Sequence, residues 1–287
     1  MAVAFIEAMK PYCLRPLAEA ALAVVTMATH LGISASASTA GQGLPLLDHV
    51  VVVVLENHSP DEILGTGEAP FIDDLIAHGA SFTNSFAVAH PSEPNYFALF
   101  SGSTHEVRDN GTYSIRAPTL ADSLRMAGKS FIGYVEQGSP RKHNPWESFA
   151  DTQGVERDFA EFPSDFTKLP TVSFVVPNLI NDMHSGSVAR GDDWLRRHVG
   201  SYASWCAGNN SLLIVTFDES DRGHDNQIPT VFFGEPVKPG RYAERIDHYT
   251  VLRTIEEIYG LPSLGNSADR QPITSLWKTD DMRKDSD

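Results

Sequence analysis

The sequence predicts an α/β fold with a mostly parallel central sheet and helices on both faces. Residues 49–57 read HVVVVVLEN, a continuous β-branched run that is typical of a strand buried on both faces. Further apolar runs follow along the chain, and segments with helical spacing of their apolar residues lie between several of them. Strands that alternate with helices form right-handed crossover units, which place helices on both faces of one sheet.

The elements can be assigned in chain order from these patterns. A helix is predicted over 69–79, where apolar residues recur at helical spacing before a glycine. A second helix is predicted to begin within the segment HPSEP, and a third covers 119–128 with Thr119 as its N-cap. Residues 249–262 form an amphipathic helix that would cover one face of the sheet. The remaining strands are predicted at 81–89 (a short strand or an extended segment), 130–136, 171–178, 211–220 and 228–234.

The N-terminal residues have the pattern of a secretory signal. Lys10 and Arg15 precede the apolar run of residues 20–33, and the small-residue segment SASASTAG follows it. A membrane anchor is the less favoured alternative, because this run is short for a hydrocarbon core of ~30 Å at ~1.5 Å per residue. The sequence therefore predicts a signal peptide over 1–40, a single domain over 41–287, no stable membrane span, and a secreted or periplasmic location.

The chain is strongly acidic, with a net charge of −15 over 287 residues. Such a field disfavours binding to nucleic acid or to an acidic membrane surface through charge alone. A negatively charged substrate would need a local cation. Arg141 and Lys142 in the segment RKHNPW are the candidates, and a solvated basic turn is the alternative interpretation of that segment.

Polar residues follow several predicted strands at their carboxyl ends, where parallel sheets bind their ligands. Glu56 and Asn57 follow the first strand, and Asp218 with Glu219 follows a later one. Each residue alone could instead cap a helix or form a turn. Together, carboxylate and amide oxygens favour a divalent cation, because neutral water would not offset the repulsion between the acids. The same rim is expected to include His90, Ser92, Asn178, Asp182 and His184.

Ser92 lies between two prolines at the start of a predicted helix. The first turn of a helix has free N–H groups and the positive end of the dipole, which suit a phosphate group. A serine hydroxyl becomes a good nucleophile only beside a base or a metal. A plain N-cap is the alternative role for Ser92.

These segments resemble the phosphoesterase family of bacterial and fungal acid phosphatases and phospholipases C, within the alkaline phosphatase superfamily. The resemblance extends over residues 48–262 and rests on VVVVLENHSPDEILG, HPSEPNYFALFSGS, RKHNPW, PNLINDMHSG, TFDESD, IPTVFFGEPVKPG and DHYTVLRTIEEIYGLP. It implies an alkaline-phosphatase-like three-layer αβα sandwich, with residues 41–287 as the catalytic domain. The segment SEPN also resembles the nucleophile turn of nucleotide pyrophosphatases, so Ser92 is the expected nucleophile.

The resemblance also implies a site and an activity. One divalent cation (Mg, Ca, Mn or Zn) would be held against Ser92, and a second near Asp182 and His184 stays open. The implied metal ligands are Glu56, Asn57, Asp218 and Glu219, the implied catalytic residues are Ser92, His143 and His184, and the implied substrate-binding residues are His90, Asn95, Arg141 and Asn178. The expected activity is that of a metal-dependent acid phosphatase that hydrolyses small phosphate monoesters through a phosphoseryl intermediate. Two alternatives remain, a phospholipase C or other phosphodiesterase with the same centre, and a non-catalytic phosphate- or metal-binding protein.

Overall fold

A mixed β-sheet forms the middle layer of the molecule. The computed structural model describes residues 44–221 and 225–278, and within them eight strands form one sheet. The strands are β1 (His49–Leu55), β2 (Ala80–Phe86), β3 (Phe131–Val135), β4 (Glu156–Asp158), β5 (Val172–Val176), β6 (Ser211–Phe217), β7 (Thr230–Gly234) and β8 (Gly240–Asp247). Their order is β4-β3-β5-β1-β6-β7-β2-β8, and only β7 runs antiparallel to its neighbours.

Helices cover both faces of this sheet. The α-helices are α1 (Pro60–Ile63), α2 (Pro70–His78), α3 (Ser92–Ser101), α4 (Leu120–Met126), α5 (Val188–Cys206) and α6 (His248–Ile258). Short 3₁₀ helices lie at Arg141–His143, Pro145–Ser148, Phe159–Glu161, Phe166–Lys168 and Gly265–Asp269. Thr119 caps α4 as predicted, because its side chain accepts a hydrogen bond from the Asp122 N–H at 3.2 Å.

The valine run of β1 explains the three layers. Val50, Val52 and Val54 pack into one hydrophobic core with residues of α3 and α6. Val51 and Val53 point to the opposite face and pack into a second core with residues of α2 and α5. Because side chains alternate along a strand, a continuous apolar run is what a strand between two helical layers requires. The predicted α/β sandwich with a mostly parallel sheet is confirmed.

Several element boundaries differ from the predictions. The strand predicted over 211–220 ends at Phe217, and the last helix ends at Ile258 rather than at 262, with Gly260 beyond it in the left-handed region (φ 63°). Strands β4 and β8 and the full length of α5 were not predicted. Both strands lie at sheet edges and are largely exposed, so they lack the apolar runs that identify buried strands.

The order β5-β1-β6 brings the carboxyl ends of three parallel strands together at one edge of the sheet. The described residues belong to one compact unit. The predicted signal peptide lies outside the described residues and stays a prediction. Within the described part of the chain, no helix combines the length and the apolar character needed to cross a bilayer.

Candidate active site

Backbone hydrogen bonds fix the three strand ends to one another just where the predicted site residues begin. The Glu56 N–H donates to the Asp182 carbonyl at 2.8 Å, which ties the end of β1 to the loop after β5. The Asp218 N–H donates to the Leu55 carbonyl at 2.9 Å, which ties the end of β6 to the end of β1. Asn57 adopts a left-handed backbone (φ 50°), a conformation that asparagine tolerates better than most residues. The carboxylates of three loops are therefore held within one small region.

Ser92 lies at the centre of this region. It is the first residue of α3, after Pro91 at the N-cap position, and it is 1% exposed. Its Oγ is 3.0 Å from both Glu56 Oε2 and Glu219 Oε1. One hydroxyl proton can serve only one of these oxygens at a time. The hydroxyl contacts carboxylates and not the amides of its own helix, so the alternative of a plain N-cap is wrong.

The predicted metal ligands lie together around Ser92. The Asn57 side chain donates to Glu219 Oε1 at 2.9 Å, and its backbone N–H donates to Asp218 Oδ1 at 3.2 Å. Two further oxygens, Asn57 Oδ1 and Asp218 Oδ2, are buried without any hydrogen-bond partner. Leaving such atoms without a partner is costly, and amide and carboxylate oxygens are the ligands that hard divalent cations take. The residues present therefore fit a divalent cation.

A second group of potential ligands lies beneath the first and shares Glu56 with it. His143 is buried, with Nε2 at 3.0 Å from Glu56 Oε1 and Nδ1 at 3.3 Å from Asp182 Oδ2. One ligand atom from each of the three residues lies within 4.8 Å of the others. This buried cluster of Glu56, His143 and Asp182 could also hold a metal ion. His143 stacks on the Tyr96 ring, with centroids 5.1 Å apart, and Tyr96 donates to Glu56 Oε1 at 2.6 Å.

The acids of this region differ in their pKa values. Burial raises the pKa of Asp218 well above its usual range, and the charges of Glu56 and Glu219 raise it further. Burial would also raise the pKa of Glu56, but the charge and hydrogen bond of His143, with the charge of Lys142, hold it at about 2. Glu56 is thus a stable carboxylate, whereas Asp218 needs a positive neighbour to ionise readily.

A cleft of about 360 Å³ opens above Ser92. It is lined by Asn57, His90, Pro91, Ser92, Asn110, Lys142, His184, Glu219, Ser220 and Asp221. The side chain of His90 contacts Glu219 Oε2 through Nδ1, and the backbone N–H of His184 donates to Asp182 Oδ1 at 2.8 Å. The cleft thus contains two of the predicted histidines, whereas His143 lies buried beneath it.

The structure places Arg141 outside the cleft. Its guanidinium donates to Glu93 Oε1 at 2.7 Å and to Ser148 Oγ at 2.8 Å, and it contacts the Gly111 carbonyl. Glu93 is buried, so this pair belongs to the support of the site. The neighbouring Lys142 lines the cleft instead, with Nζ 3.4 Å from Ser92 Oγ.

Asn95 and Asn178 also support loops and do not line the cleft. Asn95 Oδ1 accepts from the N–H groups of Val88 and Ala89, both at 3.0 Å, which orders the segment between β2 and α3. Asn178 Oδ1 accepts from the Ile180 N–H at 3.0 Å and so closes the turn that precedes Asp182. Of the four predicted substrate-binding residues, His90 alone is in the cleft.

Several residues around the site were not among the predicted site residues, and three of them make informative contacts. Tyr96 is four positions after Ser92 on α3, so helical spacing alone would have placed it on the same face. Asn110 lines the cleft and accepts from the Glu93 N–H at 3.1 Å. His248 is buried, with Nε2 2.7 Å from the Asp218 carbonyl. Nothing in the sequence around Asn110 singles it out, whereas His248 belongs to the segment DHYTVLRTIEEIYGLP on which the family resemblance rests.

Comparison with known proteins identifies the family. A model described as "Phosphoesterase family" matches residues 66–262. This chain belongs to the phosphoesterase family. A Mycobacterium tuberculosis protein named phosphatidylinositol-3-phosphatase is 46% identical over 274 residues, which cover 89% of this chain and 91% of that protein. The family prediction is confirmed, and the chain is a phosphoric ester hydrolase.

A fungal relative agrees with this assignment, and solved structures share the fold. An Aspergillus fumigatus acid phosphatase is 30% identical over 233 residues, covering 67% of this chain and 51% of the relative, so the chain spans about half of that protein. An alkaline phosphatase superfamily protein from Vibrio parahaemolyticus has a TM-score of 0.57 at 14% identity, covering 82% of this chain and 73% of that one. The lipoteichoic acid synthase LtaP from Listeria monocytogenes has a TM-score of 0.60 at 10% identity, covering 80% and 76%. At such identities the structures bear on the fold alone, and the predicted alkaline-phosphatase-like architecture is confirmed.

Proposed function

We propose that this chain is a metal-dependent phosphatase of phosphate monoesters in which Ser92 is the nucleophile. The observation that carries the proposal is the position of Ser92 Oγ, at the start of α3 and 3.0 Å from two carboxylates at the floor of the cleft. A nucleophile needs a proton acceptor and a positive surrounding, and the carboxylates with the N-terminus of the ten-residue helix supply both.

In the first step, Ser92 Oγ forms a bond to phosphorus while the bond from phosphorus to the leaving oxygen breaks. The Ser92 proton passes to Glu219 Oε1, 3.0 Å away. His184, which lines the cleft, gives a proton to the departing alcohol. His143 is buried against Glu56, so we assign it the role of holding that carboxylate in place.

In the second step, water attacks the phosphoserine and its proton passes to His184. Inorganic phosphate leaves, and the proton held by Glu219 returns to Ser92 Oγ. The residues therefore end the cycle in their starting protonation states.

Glu56, Asn57, Asp218 and Glu219 would hold the divalent cation. When bound, the cation supplies positive charge that favours the alkoxide of Ser92 and neutralises the phosphoryl oxygens. The buried, unpartnered oxygens Asn57 Oδ1 and Asp218 Oδ2 support this part of the proposal.

The names of the relatives support the proposed substrate class. The Mycobacterium tuberculosis relative is named for a phosphoinositide phosphatase and the fungal relatives for acid phosphatases. We therefore expect hydrolysis of soluble monoesters and of phosphatidylinositol 3-phosphate in mixed micelles. A diester and phosphatidylcholine in the same assay test the alternative of a phosphodiesterase or phospholipase C.

Replacement of Ser92 by alanine tests the proposal. We expect Ser92→Ala to reduce kcat for monoesters by ~10³-fold or more, the scale of losing a covalent nucleophile, with folding unchanged by circular dichroism. Ser204→Ala is the matched control, because Ser204 is exposed on α5 and bonds only to the Gly200 carbonyl. Wild-type turnover by Ser92→Ala would contradict the proposal.

We further propose that the chain is exported. The support is the basic, apolar and small-residue pattern of residues 1–40. N-terminal sequencing of protein recovered outside the cytoplasm is expected to begin near residues 37–41. An intact Met1 on that protein would contradict the signal-peptide interpretation.

A further inference from the structure

Lys142 presents a positive charge directly beside the nucleophile. Its Nζ lies 3.4 Å from Ser92 Oγ, and it lines the same cleft as Asn110 and His184. Of the cleft-lining residues that the structure describes, Lys142 is the only lysine or arginine. Glu219 and Asp221 line the cleft as acids, so an anionic ligand meets repulsion there unless this cation faces it.

Both neighbours of Lys142 are anchored, and they fix where its side chain begins. Arg141 is bonded to the buried Glu93, and His143 is buried between Glu56 and Asp182. Lys142 and its two neighbours form one 3₁₀ helix, Arg141–His143. The ammonium group therefore extends from a fixed backbone into the cleft.

Trp146 anchors the same segment to the sheet. Its ring packs over Gly133 of β3, where an added Cβ would lie 2.2 Å from the ring. The indole N–H donates to Glu156 Oε2 at 2.6 Å. The contacts of Arg141, before Lys142, and of His143 and Trp146, after it, therefore hold this segment in place.

The two ester classes differ in charge at the place where this cation lies. A phosphate monoester carries close to two negative charges above its second pKa of about 6, whereas a diester carries one. The additional charge of the monoester is on a non-bridging oxygen. A charge-assisted hydrogen bond to that oxygen therefore favours the monoester.

We propose that Lys142 is the specificity-determining residue that selects phosphate monoesters over diesters, by pairing with the additional non-bridging oxygen charge of the monoester. The proposal rests on the proposed function, in which the phosphoryl group is bound above Ser92. A residue that only stabilised the Ser92 alkoxide would accelerate hydrolysis of both ester classes equally. Loss of Lys142 would then lower both activities, whereas loss of a monoester-selecting residue lowers mainly the monoester activity.

The test compares two esters with one leaving group, 4-nitrophenyl phosphate and methyl 4-nitrophenyl phosphate, on the metal-loaded enzyme. We expect Lys142→Met to lower kcat/KM for the monoester by roughly 10- to 100-fold, the value of a hydrogen bond to a charged group. The diester is expected to change by less than about threefold, well below that value. Lys142→Arg is expected to restore most of the preference, because it keeps the charge.

Lys168→Met is the matched control, because it removes the same charge at a side chain that is 75% exposed and pairs only with Asp165. It is expected to leave the ratio of the two esters unchanged. An equal loss of both activities in Lys142→Met, or an unchanged ratio, would overturn the proposal.

A binding measurement separates this proposal from the proposed function. Calorimetry with inorganic phosphate is expected to give a Kd that is roughly 10- to 100-fold weaker for Lys142→Met, with dimethyl phosphate unaffected. Equal effects on both ligands would overturn the role of Lys142. If phosphate binding behaves as expected but Ser92→Ala retains full turnover, the proposed nucleophile is wrong and the assignment of Lys142 stands.

Discussion

Arg141 pairs with the buried Glu93, which indicates a supporting role for Arg141 and not the substrate-binding role that the sequence predicted. Breaking this pair tests which role is correct. The side chain of Glu93 is only 1% exposed, and Arg141 Nη1 donates to its Oε1 at 2.7 Å. The other oxygen, Oε2, is buried without a hydrogen-bond partner. Replacing Arg141 by methionine would therefore leave a buried carboxylate with only Ser148 Oγ, 3.5 Å away.

Breaking a buried ion pair from one side costs about 3–5 kcal/mol. Because the Arg141 side chain is 26% exposed, we expect Arg141→Met to lie at the lower end, with a loss of ~3 kcal/mol in the free energy of unfolding. The double variant Glu93→Gln/Arg141→Met should recover part of this loss, since no unpaired charge then remains. Urea denaturation of the four proteins in the cycle, without metal or substrate, measures the coupling.

The control is Arg197→Met, which breaks an exposed pair with Asp193 and should cost less than ~1 kcal/mol. An Arg141→Met variant with wild-type stability and a raised KM alone would refute this reasoning. It would return Arg141 to the substrate-binding role.

Two further predictions concern buried acids. Asp218→Asn should leave the melting temperature of the chelator-treated protein nearly unchanged at neutral pH, because Asp218 does not ionise readily without a positive neighbour. It should abolish the thermal shift that added divalent metal gives the wild type, and a metal-dependent shift retained by the variant would contradict the ligand assignment. Burial raises the pKa of Glu256 from 4.5 to about 7, so the folded state keeps a proton that the unfolded state loses. Between pH 4.5 and about 7, the free energy of unfolding should therefore fall with rising pH more steeply in the wild type than in Glu256→Gln. Denaturant titrations at a series of pH values measure this fall. Equal slopes in the two proteins would contradict the raised pKa of Glu256.

The sequence was sufficient for the parts of the site that depend on strand ends. Glu56 and Asp218 follow buried apolar strands, and the carboxyl ends of adjacent parallel strands must meet at one edge. The edge strands β4 and β8 were missed because their residues are mostly polar and exposed. Prediction from apolar patterns therefore works for the centre of the sheet and fails at its borders.

The roles of Arg141 and Lys142 could not be separated from the sequence. The two residues are adjacent and both basic, and which one reaches the cleft depends on a buried acid 48 positions earlier, Glu93. Likewise, histidine is a common catalytic residue type, but His143 is buried against Glu56 and stacks on the Tyr96 ring. Such long-range contacts have no local sequence pattern.

The central claim is that Ser92 carries the phosphoryl group during turnover. The most direct measurement is rapid acid quench of metal-loaded enzyme in excess over a ³²P-labelled monoester, followed by peptide mapping, since a phosphoserine ester survives acid. We predict label on the peptide that contains Ser92, formed and lost at rates consistent with kcat, and no label in Ser92→Ala. Label on another residue, or full turnover by the alanine variant, would contradict it.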